Sequence, residues 1–445
     1  INSFHLGEGS PKQKFRANMD AIYMLKTLEN QQRDATPEEQ ETLANYVGWG
    51  GLADAFDAEK TAWTGEYKEL KAALTEEEYA AARASTLNAH YTSPTVIRAI
   101  YEALDGMGFE KGNILEPSMG VGNFFGMLPD SMLGSRLYGV ELDSITGRIA
   151  QKLYPQAEIK VAGFETTDRR DFYDLAVGNV PFGNYRVSDK PYDKLGFSIH
   201  NYFFAKALDQ VRPGGVVAFV TSRYTMDSKN SDARRYMAQR AELLGAIRLP
   251  NDAFKKNAGT EVVSDILFLQ KRDHPIDIVP EWVNLDRTEE GHTMNSYFVA
   301  HPEMVLGDTV EESTAYGMDI TVRPIEGMEL SELLKEAVSH IQGTYQAVEL
   351  PEADKGKEIE TIPATPDVKN FSYAVVDGEV YYRENSIMTQ VELSDNAKAR
   401  VTGMVELRQI VNQLIQEQLD DYPDEDIKAT QAKLNTAYDA FTAKY

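Results

Sequence analysis

Apolar positions recur at helical spacing early in the chain. Phe15 to Leu28 carries Met19, Ile22, Tyr23, Leu25 and Leu28 at such intervals. Thr36-Pro37-Glu38-Glu39 has the N-cap, first-turn proline and third-position carboxylate that open another helix. Residues 12–85 therefore read as helical. They are interrupted at Tyr46-Val47-Gly48-Trp49-Gly50-Gly51, where three glycines around one tryptophan predict a tight turn that either buries the indole or lines a site. From about 89 to 275 short apolar runs alternate with helical stretches. The runs predict strands at Asn113–Glu116, Arg136–Glu141, Glu158–Val161, Leu175–Asn179, Gly215–Thr221, Leu244–Leu249 and Ser264–Gln270, with helices over 94–107, 144–153 and 198–210. This alternation is the pattern of an open α/β sheet covered by helices. The last run, Val262 to Leu269, suits an edge strand antiparallel to the others.

Beyond it the pattern loosens. Segment 276–345 is mixed and acidic, with a helix expected around 328–342, and 346–369 reads as a linker rich in Pro, Glu and Lys. Asp377-Gly378 between apolar runs predicts a β-hairpin with a two-residue primed turn. Val401, Met404, Leu407, Ile410, Val411, Leu414, Ile415 and Leu419 share a helical face, Pro423 breaks it, and a second amphipathic helix starts near 425. The expected organisation is a helical region (1–88), an α/β domain (89–275), an acidic accessory segment (276–345), a linker (346–369), and a hairpin with two helices (370–445).

Composition narrows the class. A chain of 445 residues exceeds a single core. It has no cysteine, hence no disulfides or thiolate metal sites, and its seven histidines form no HExxH arrangement, so no metal is expected. No apolar stretch approaches the roughly eighteen residues of a membrane span, and no secretory signal opens the chain. A cytoplasmic, monomeric protein is the expectation. The start at Ile1 suggests a fragment of a longer chain, although processing would leave the same start. The formal charge is −25, and residues 281–445 hold 32 acidic against 13 basic side chains. Within 212–272 the balance reverses to 11 basic and 6 acidic. That strip, with Arg223, Arg234, Arg235, Arg240, Arg248, Lys255 and Lys256, is either ordinary solvated charge or a surface that meets nucleic-acid phosphates.

Two stretches carry candidate chemistry. Strand 113–116 runs into Pro117-Ser118-Met119-Gly120-Val121-Gly122, a strand-to-helix turn whose glycines let a ligand approach the backbone. The next strand ends in Glu141, 25 residues after Glu116, where a carboxylate can accept both hydroxyls of a ribose. Glu116 itself could reach the cationic end of an amino-acid moiety. The pair implies an adenosine cofactor, and NAD would satisfy the geometry as well. The second stretch is Asp174-Leu175-Ala176-Val177-Gly178-Asn179-Val180-Pro181-Phe182-Gly183. An amino group on an aromatic ring is a poor nucleophile because its lone pair is delocalised. The Asn179 side-chain oxygen and the Pro181 carbonyl could accept its two hydrogens and localise that lone pair. Phe182 would stack on the base and hold it for attack. The alternative is an asparagine capping a turn and a core phenylalanine.

Residues 89–270 resemble the class I amino-specific methyltransferases, above all those that act on adenine N6 in DNA. Asn88-Ala89-His90-Tyr91-Thr92-Ser93-Pro94 is similar to that family's upstream cofactor motif, 115–124 to its first motif, Glu141 to its ribose-binding carboxylate, and Asn179-Val180-Pro181-Phe182 to its Asn-Pro-Pro-Tyr/Phe motif. The resemblance implies a Rossmann-like seven-stranded sheet with one antiparallel edge strand, S-adenosyl-L-methionine as cofactor, and a flipped adenine of DNA as substrate. It places Tyr91, Thr92, Glu116, Pro117, Gly120, Gly122, Glu141, Gly163, Phe164 and Asn179 at the cofactor. Catalysis falls to Asn179, Pro181 and Phe182, and the basic strip adds Arg223, Arg234, Arg235, Lys255 and Lys256 to Phe182 as expected DNA contacts. Two departures stand out: Val180 replaces a proline, and the third motif reads Gly163-Phe164-Glu165 where an Asp is usual. The whole chain, including Phe15-Arg16-Ala17-Asn18, Gly48-Trp49-Gly50-Gly51, Asn295-Ser296-Tyr297-Phe298 and His301-Pro302-Glu303-Met304, resembles the front part of large methyltransferase–helicase proteins of phages, plasmids and conjugative elements. By that likeness an SNF2-like helicase portion would follow, with a role in protecting mobile DNA from restriction. A non-catalytic cofactor- and DNA-binding module, or methylation of an RNA base or a protein glutamine amide, stand as alternatives.

Overall fold

Seven β-strands, each bounded by turns or by helix caps, assemble into one sheet: β1 Asn113–Glu116, β2 Arg136–Glu141, β3 Glu158–Val161, β4 Tyr173–Asn179, β5 Val211–Ser222, β6 Ala241–Arg248 and β7 Ser264–Lys271. The computed structural model describes residues 7–86, 91–254, 262–314, 317–346, 361–384 and 386–445. The strand order is β3-β2-β1-β4-β5-β7-β6. All neighbours are parallel except those of β7, which runs antiparallel to β5 and β6. The apolar run at 262–269 does supply the reversed strand, β7, which lies one place in from the outermost strand β6. Short apolar runs such as Ile266–Leu269 and Val216–Val220 are fully buried because helices cover both faces.

The helices before β5 are α1 Pro11–Asn30, α2 Pro37–Ala44, α3 Thr64–Ala73, α4 Glu76–Ser85, α5 Pro94–Gly106, α6 Asn123–Gly126, α7 Ser144–Leu153 and α8 Ile199–Gln210. Helices α1, α2 and α4 each begin in a capping box, from Ser10 to Gln13, Thr36 to Glu39 and Thr75 to Glu78. The helical region is not separate from the sheet. Phe15, Met19, Ile22, Leu25, Trp49 and Trp63 share a core with Ile145 and Ile149 of α7. Arg148 of α7 also makes a bidentate pair with Glu29 (2.7 and 2.6 Å) and reaches Glu78 at 2.9 Å.

The accessory segment is likewise continuous with the sheet domain, because its apolar side chains complete that core. Trp282, Met294, Phe298, Met304, Leu334 and Ala337 are buried in it. A hairpin of strands Asp308–Thr314 and Gly317–Arg323 is joined to the end of β6 through the Asn251 N–H, which donates to Val322 O at 2.7 Å. The described residues of 7–273 and 278–346 thus form one compact unit. The second unit comprises 274–277 and the described residues after 360. It holds a four-stranded antiparallel sheet in the order Thr361–Pro363, Ile387–Gln390, Glu379–Glu384, Tyr373–Val376, and the helices Asp395–Leu419 and Asp424–Lys444. Asp377 (φ +51°) and Gly378 (φ +84°) make the primed turn expected there. Most of the expected linker, 347–360, lies outside the described residues.

Candidate active site

Strand order reverses between β1 and β4, and ligands of open α/β sheets bind at the carboxyl ends of strands beside such a point. There the ends of β1, β2, β3 and β4 open into a cavity of about 480 Å³. Glu116 leaves β1 into a turn whose Gly120 (φ +55°) and Gly122 (φ +87°) occupy the left-handed region. A Cβ on Gly120 would stand 3.2 Å from the Tyr91 ring. One on Gly122 would stand 2.6 Å from Tyr154, so this second glycine serves packing of the turn.

Carboxylates gather on this half of the cavity. Glu141 accepts the Gly120 N–H at 2.8 Å and the Asp143 N–H at 2.9 Å. Burial pushes its carboxyl up to about 7 despite those two donors. Glu116 is buried, its Oε2 has no hydrogen-bond partner among the described residues, and burial followed by the Glu141 charge holds its pKa well above the carboxylate range. Asp143, absent from the sequence expectations, also lines the cavity. Its Oδ2 accepts the Thr146 N–H at 2.8 Å, capping α7, while Oδ1 is buried and without a partner among the described residues. In sequence Asp143 reads only as a helix cap.

The helical region supplies a wall of which the sequence marked only the Gly48 turn. Gly48, Ala81, Ala84 and Ser85 line the cavity beside Tyr91 and Thr92. Both uses considered for the glycine–tryptophan turn are realised by neighbouring residues. Trp49 is buried, with its ring 5.3 Å from Phe56 and 6.1 Å from Phe15, and Gly48 faces the cavity. Residues 88–90 of the upstream motif lie outside the described residues. Gly163 and Phe164 line the far side. Phe164 is buried, 4.9 Å from Phe203, and the exposed Glu165 side chain folds back over Gly163.

At the other end β4 delivers Asn179, and Asn179, Val180 and Pro181 all line the same cavity. Asn179 pairs in register with Val220, and the Val180 N–H extends the ladder to Val220 O at 3.1 Å. Val180 is buried, so an apolar branched residue suits the position where proline was expected. Phe182 is half-buried and packs on the main core. The aromatic that lines the cavity beyond Pro181 is Tyr185, about half exposed. Beneath the turn His200 is buried and meets Ser198 Oγ through Nε2 at 3.0 Å, and burial lowers its pKa to about 4. It is therefore neutral at ordinary pH.

The basic strip is largely turned inward. Arg234 is buried and donates to the carbonyls of Val283 (2.8 Å), Thr225 (3.3 Å) and Ser228 (2.8 Å). Arg223 is buried against Asp227 (3.2 Å) and Asp319 (2.5 Å), and Arg248 against Asp265 and Asp227. Arg240 is buried with its guanidinium 3.5 Å from the Tyr236 ring centroid. The expectation that Arg223 and Arg234 face DNA is corrected accordingly: the accessory segment packs over these long side chains, bringing Asp319 to Arg223 and the Val283 carbonyl to Arg234. Arg235 is exposed, and Lys255 and Lys256 lie outside the described residues. Among the described residues no group of three His, Cys, Asp or Glu could hold a metal, and no helix is long and apolar enough to cross a membrane.

The sheet order, with its one reversed strand, is that of the class I S-adenosylmethionine-dependent methyltransferases. No family model matches the chain. Over 313 residues it is 29% identical to the "Defense against restriction protein B" of Escherichia phage P1, covering 69% of this chain and 12% of that protein. Over 92 residues it is 34% identical to the Type II methyltransferase M.CvrRI of Paramecium bursaria Chlorella virus XZ-6E, covering 21% of this chain and 24% of that protein. Among solved structures, a putative class I S-adenosylmethionine-dependent methyltransferase from Listeria monocytogenes aligns with a TM-score of 0.39 at 16% identity, over 60% of this chain and 90% of the other. A modification subunit of a putative type I restriction enzyme from Vibrio vulnificus YJ016 aligns with a TM-score of 0.38 at 15% identity, over 54% and 64%.

Proposed function

We propose that the chain methylates the exocyclic amino group of a nucleobase, adenine N6 in DNA, with S-adenosyl-L-methionine as donor. The observation that carries this reading is that Glu116, Gly120 and Glu141 on one side, and Asn179 and Pro181 on the other, open into one cavity. The cofactor's chemistry is an electrophilic methyl group on a sulfonium. Its residues fit: the unpartnered Glu116 Oε2 suits a cationic amino-acid end, Glu141 suits ribose hydroxyls, and the buried Phe164 suits a flat base. Asn179 Oδ1 and the Pro181 carbonyl would accept the two hydrogens of the target amine, turning its lone pair away from the ring. The apolar walls of Val180, Ile199 and Phe203 would keep water from competing. No strong base is needed, because the nitrogen proton becomes acidic once the new bond to carbon forms.

The phage relative's name supports a role in defense against restriction and the viral relative's name supports methyl transfer, while the nucleic-acid substrate is read from the sequence resemblance. The helicase partner belongs to the proposal through the sequence resemblance alone. Incubating the chain with labelled S-adenosylmethionine and mixed-sequence DNA should yield labelled N6-methyladenine, and Asn179→Ala should abolish it. Label confined to RNA or protein would refute the DNA assignment. Tight cofactor binding without transfer to any substrate would make the chain a binding module instead.

A further inference from the structure

We infer that the loop between β4 and α8 builds a second pocket, beside the reaction cavity, that holds and reads the unpaired nucleobase next to the target on the same strand. The inference rests on the nucleic-acid reading above. The pocket has a volume of about 230 Å³ and shares Val187 with the reaction cavity, so the two adjoin at that residue. Tyr192 and Tyr202 line its depth, their rings 5.6 Å apart and nearly perpendicular at 82°. Both hydroxyls are engaged elsewhere, Tyr192 donating to Asp209 at 2.6 Å and Tyr202 to Asp189 at 2.7 Å. Lys206 also binds Asp189 at 2.6 Å. What the tyrosines offer the pocket is therefore ring surface, and Phe197 adds to it. Such a surface suits a flat heteroaromatic ring.

The mouth is polar and carries both kinds of group that a base edge needs. The exposed Arg186 guanidinium lies over Gly196, where a Cβ would stand 3.6 Å from it. Gly196 itself adopts φ +64°. Asp193 brings a carboxylate to the same mouth and uses Oδ1 to accept the Asp189 N–H at 2.8 Å. Guanidinium donors match the O6 and N7 acceptors of guanine, and a carboxylate matches the N–H donors on its other edge. Guanine is thus the base expected in this pocket. Exposed Lys190 and Lys194 on the same loop would meet the adjoining phosphates.

The test uses the 445-residue chain and single-stranded oligonucleotides with one adenine and varied neighbours. Guanine beside the target should raise the methylation rate about tenfold over the other bases. Arg186→Ala and Asp193→Asn should each flatten that preference while cofactor affinity and melting temperature stay unchanged. Rates indifferent to both neighbours, or a preference that survives both substitutions, would overturn the inference. If no substrate is methylated the proposed function fails, and binding then decides this pocket separately. A fluorescent guanine analogue, 6-methylisoxanthopterin, placed beside the adenine should be quenched by the wild-type chain and not by Arg186→Ala. Equal signals from the two proteins would refute it.

Discussion

The backbone N–H of Gly120 donates to Oε2 of Glu141 at 2.8 Å, so the turn after β1 and the carboxylate ending β2 form one corner of the cavity. That corner should make cofactor binding depend on pH. Burial raises the Glu141 carboxyl from 4.5 to about 7. A carboxyl raised in the folded state stabilises the fold below its unfolded value, and that contribution is lost as pH rises through about 7. Glu116, raised in the same direction, adds to it. The ligand-free melting temperature should therefore fall between about pH 5 and 7, apart from other titrations. Ribose hydroxyls require the ionised Glu141, so cofactor affinity should strengthen about tenfold from pH 6 to 8. Glu141→Gln should flatten the affinity trend in calorimetric titrations and weaken the stability trend in thermal melts, and an affinity trend unchanged by it would remove Glu141 from the site.

Asn18 connects α1 to the cavity wall. It is fully buried, donates to Gly48 O at 2.6 Å and accepts the Val47 N–H at 2.8 Å. Asn18→Ala leaves two backbone groups unsatisfied and should cost about 2–4 kcal/mol by chemical denaturation. Gly48 sits at φ +70°, and a Cβ there would meet the Tyr91 ring at 2.8 Å. Gly48→Ala should lower stability by about 1–2 kcal/mol and weaken cofactor binding by about tenfold. Unaltered affinity in a folded Gly48→Ala protein would mean that the helical wall does not touch the ligand.

The neighbours Arg234 and Arg235 should behave oppositely. Arg234→Ala strands three carbonyls that now accept its guanidinium, so the expected result is a loss of several kcal/mol in stability. Exposed Arg235→Ala should keep the melting temperature. If this face meets DNA, Arg235→Ala should also lower the salt slope of DNA binding by about one unit. Filter binding across salt concentrations, beside thermal melts, separates the two effects.

Arg248 and Asp265 form a pair with no solvent exposure, bonded through two nitrogens at 2.8 Å each. Removing one partner leaves a buried charge, and Asp265→Ala should cost about 3–5 kcal/mol. A compact double replacement such as Arg248→Met with Asp265→Leu should recover part of that loss. Equilibrium unfolding of Arg248→Met, Asp265→Leu and the double replacement reads the comparison, and additive losses would argue against a direct pair.

Much of the sheet was legible in sequence because strand signals are local. The runs at 113–116, 136–141 and 158–161 begin and end where strands β1, β2 and β3 do. Glu116, Glu141 and Asn179 were readable for the same reason: each ends a strand, and a parallel sheet carries all its strand ends to one edge. Asp143 carried no such mark, and the glycine–tryptophan turn left open whether Gly48 lines a site. Gly48 is far away in sequence, and Asp143 looks like an ordinary helix cap until the fold places it on the cavity wall.

By itself the sequence determined which segments become the strands of the main sheet, where glycine permits a left-handed turn, and which residue types reach the sheet's carboxyl edge. These follow from side-chain periodicity and backbone sterics within a few residues. Only the tertiary structure decided what those segments enclose. It turned Arg223, Arg234 and Arg248 inward, set Tyr185 rather than Phe182 on the cavity wall, and made the N-terminal helices part of the site. Burial depends on which distant elements pack together, and neither charge counts nor periodicity carries that information.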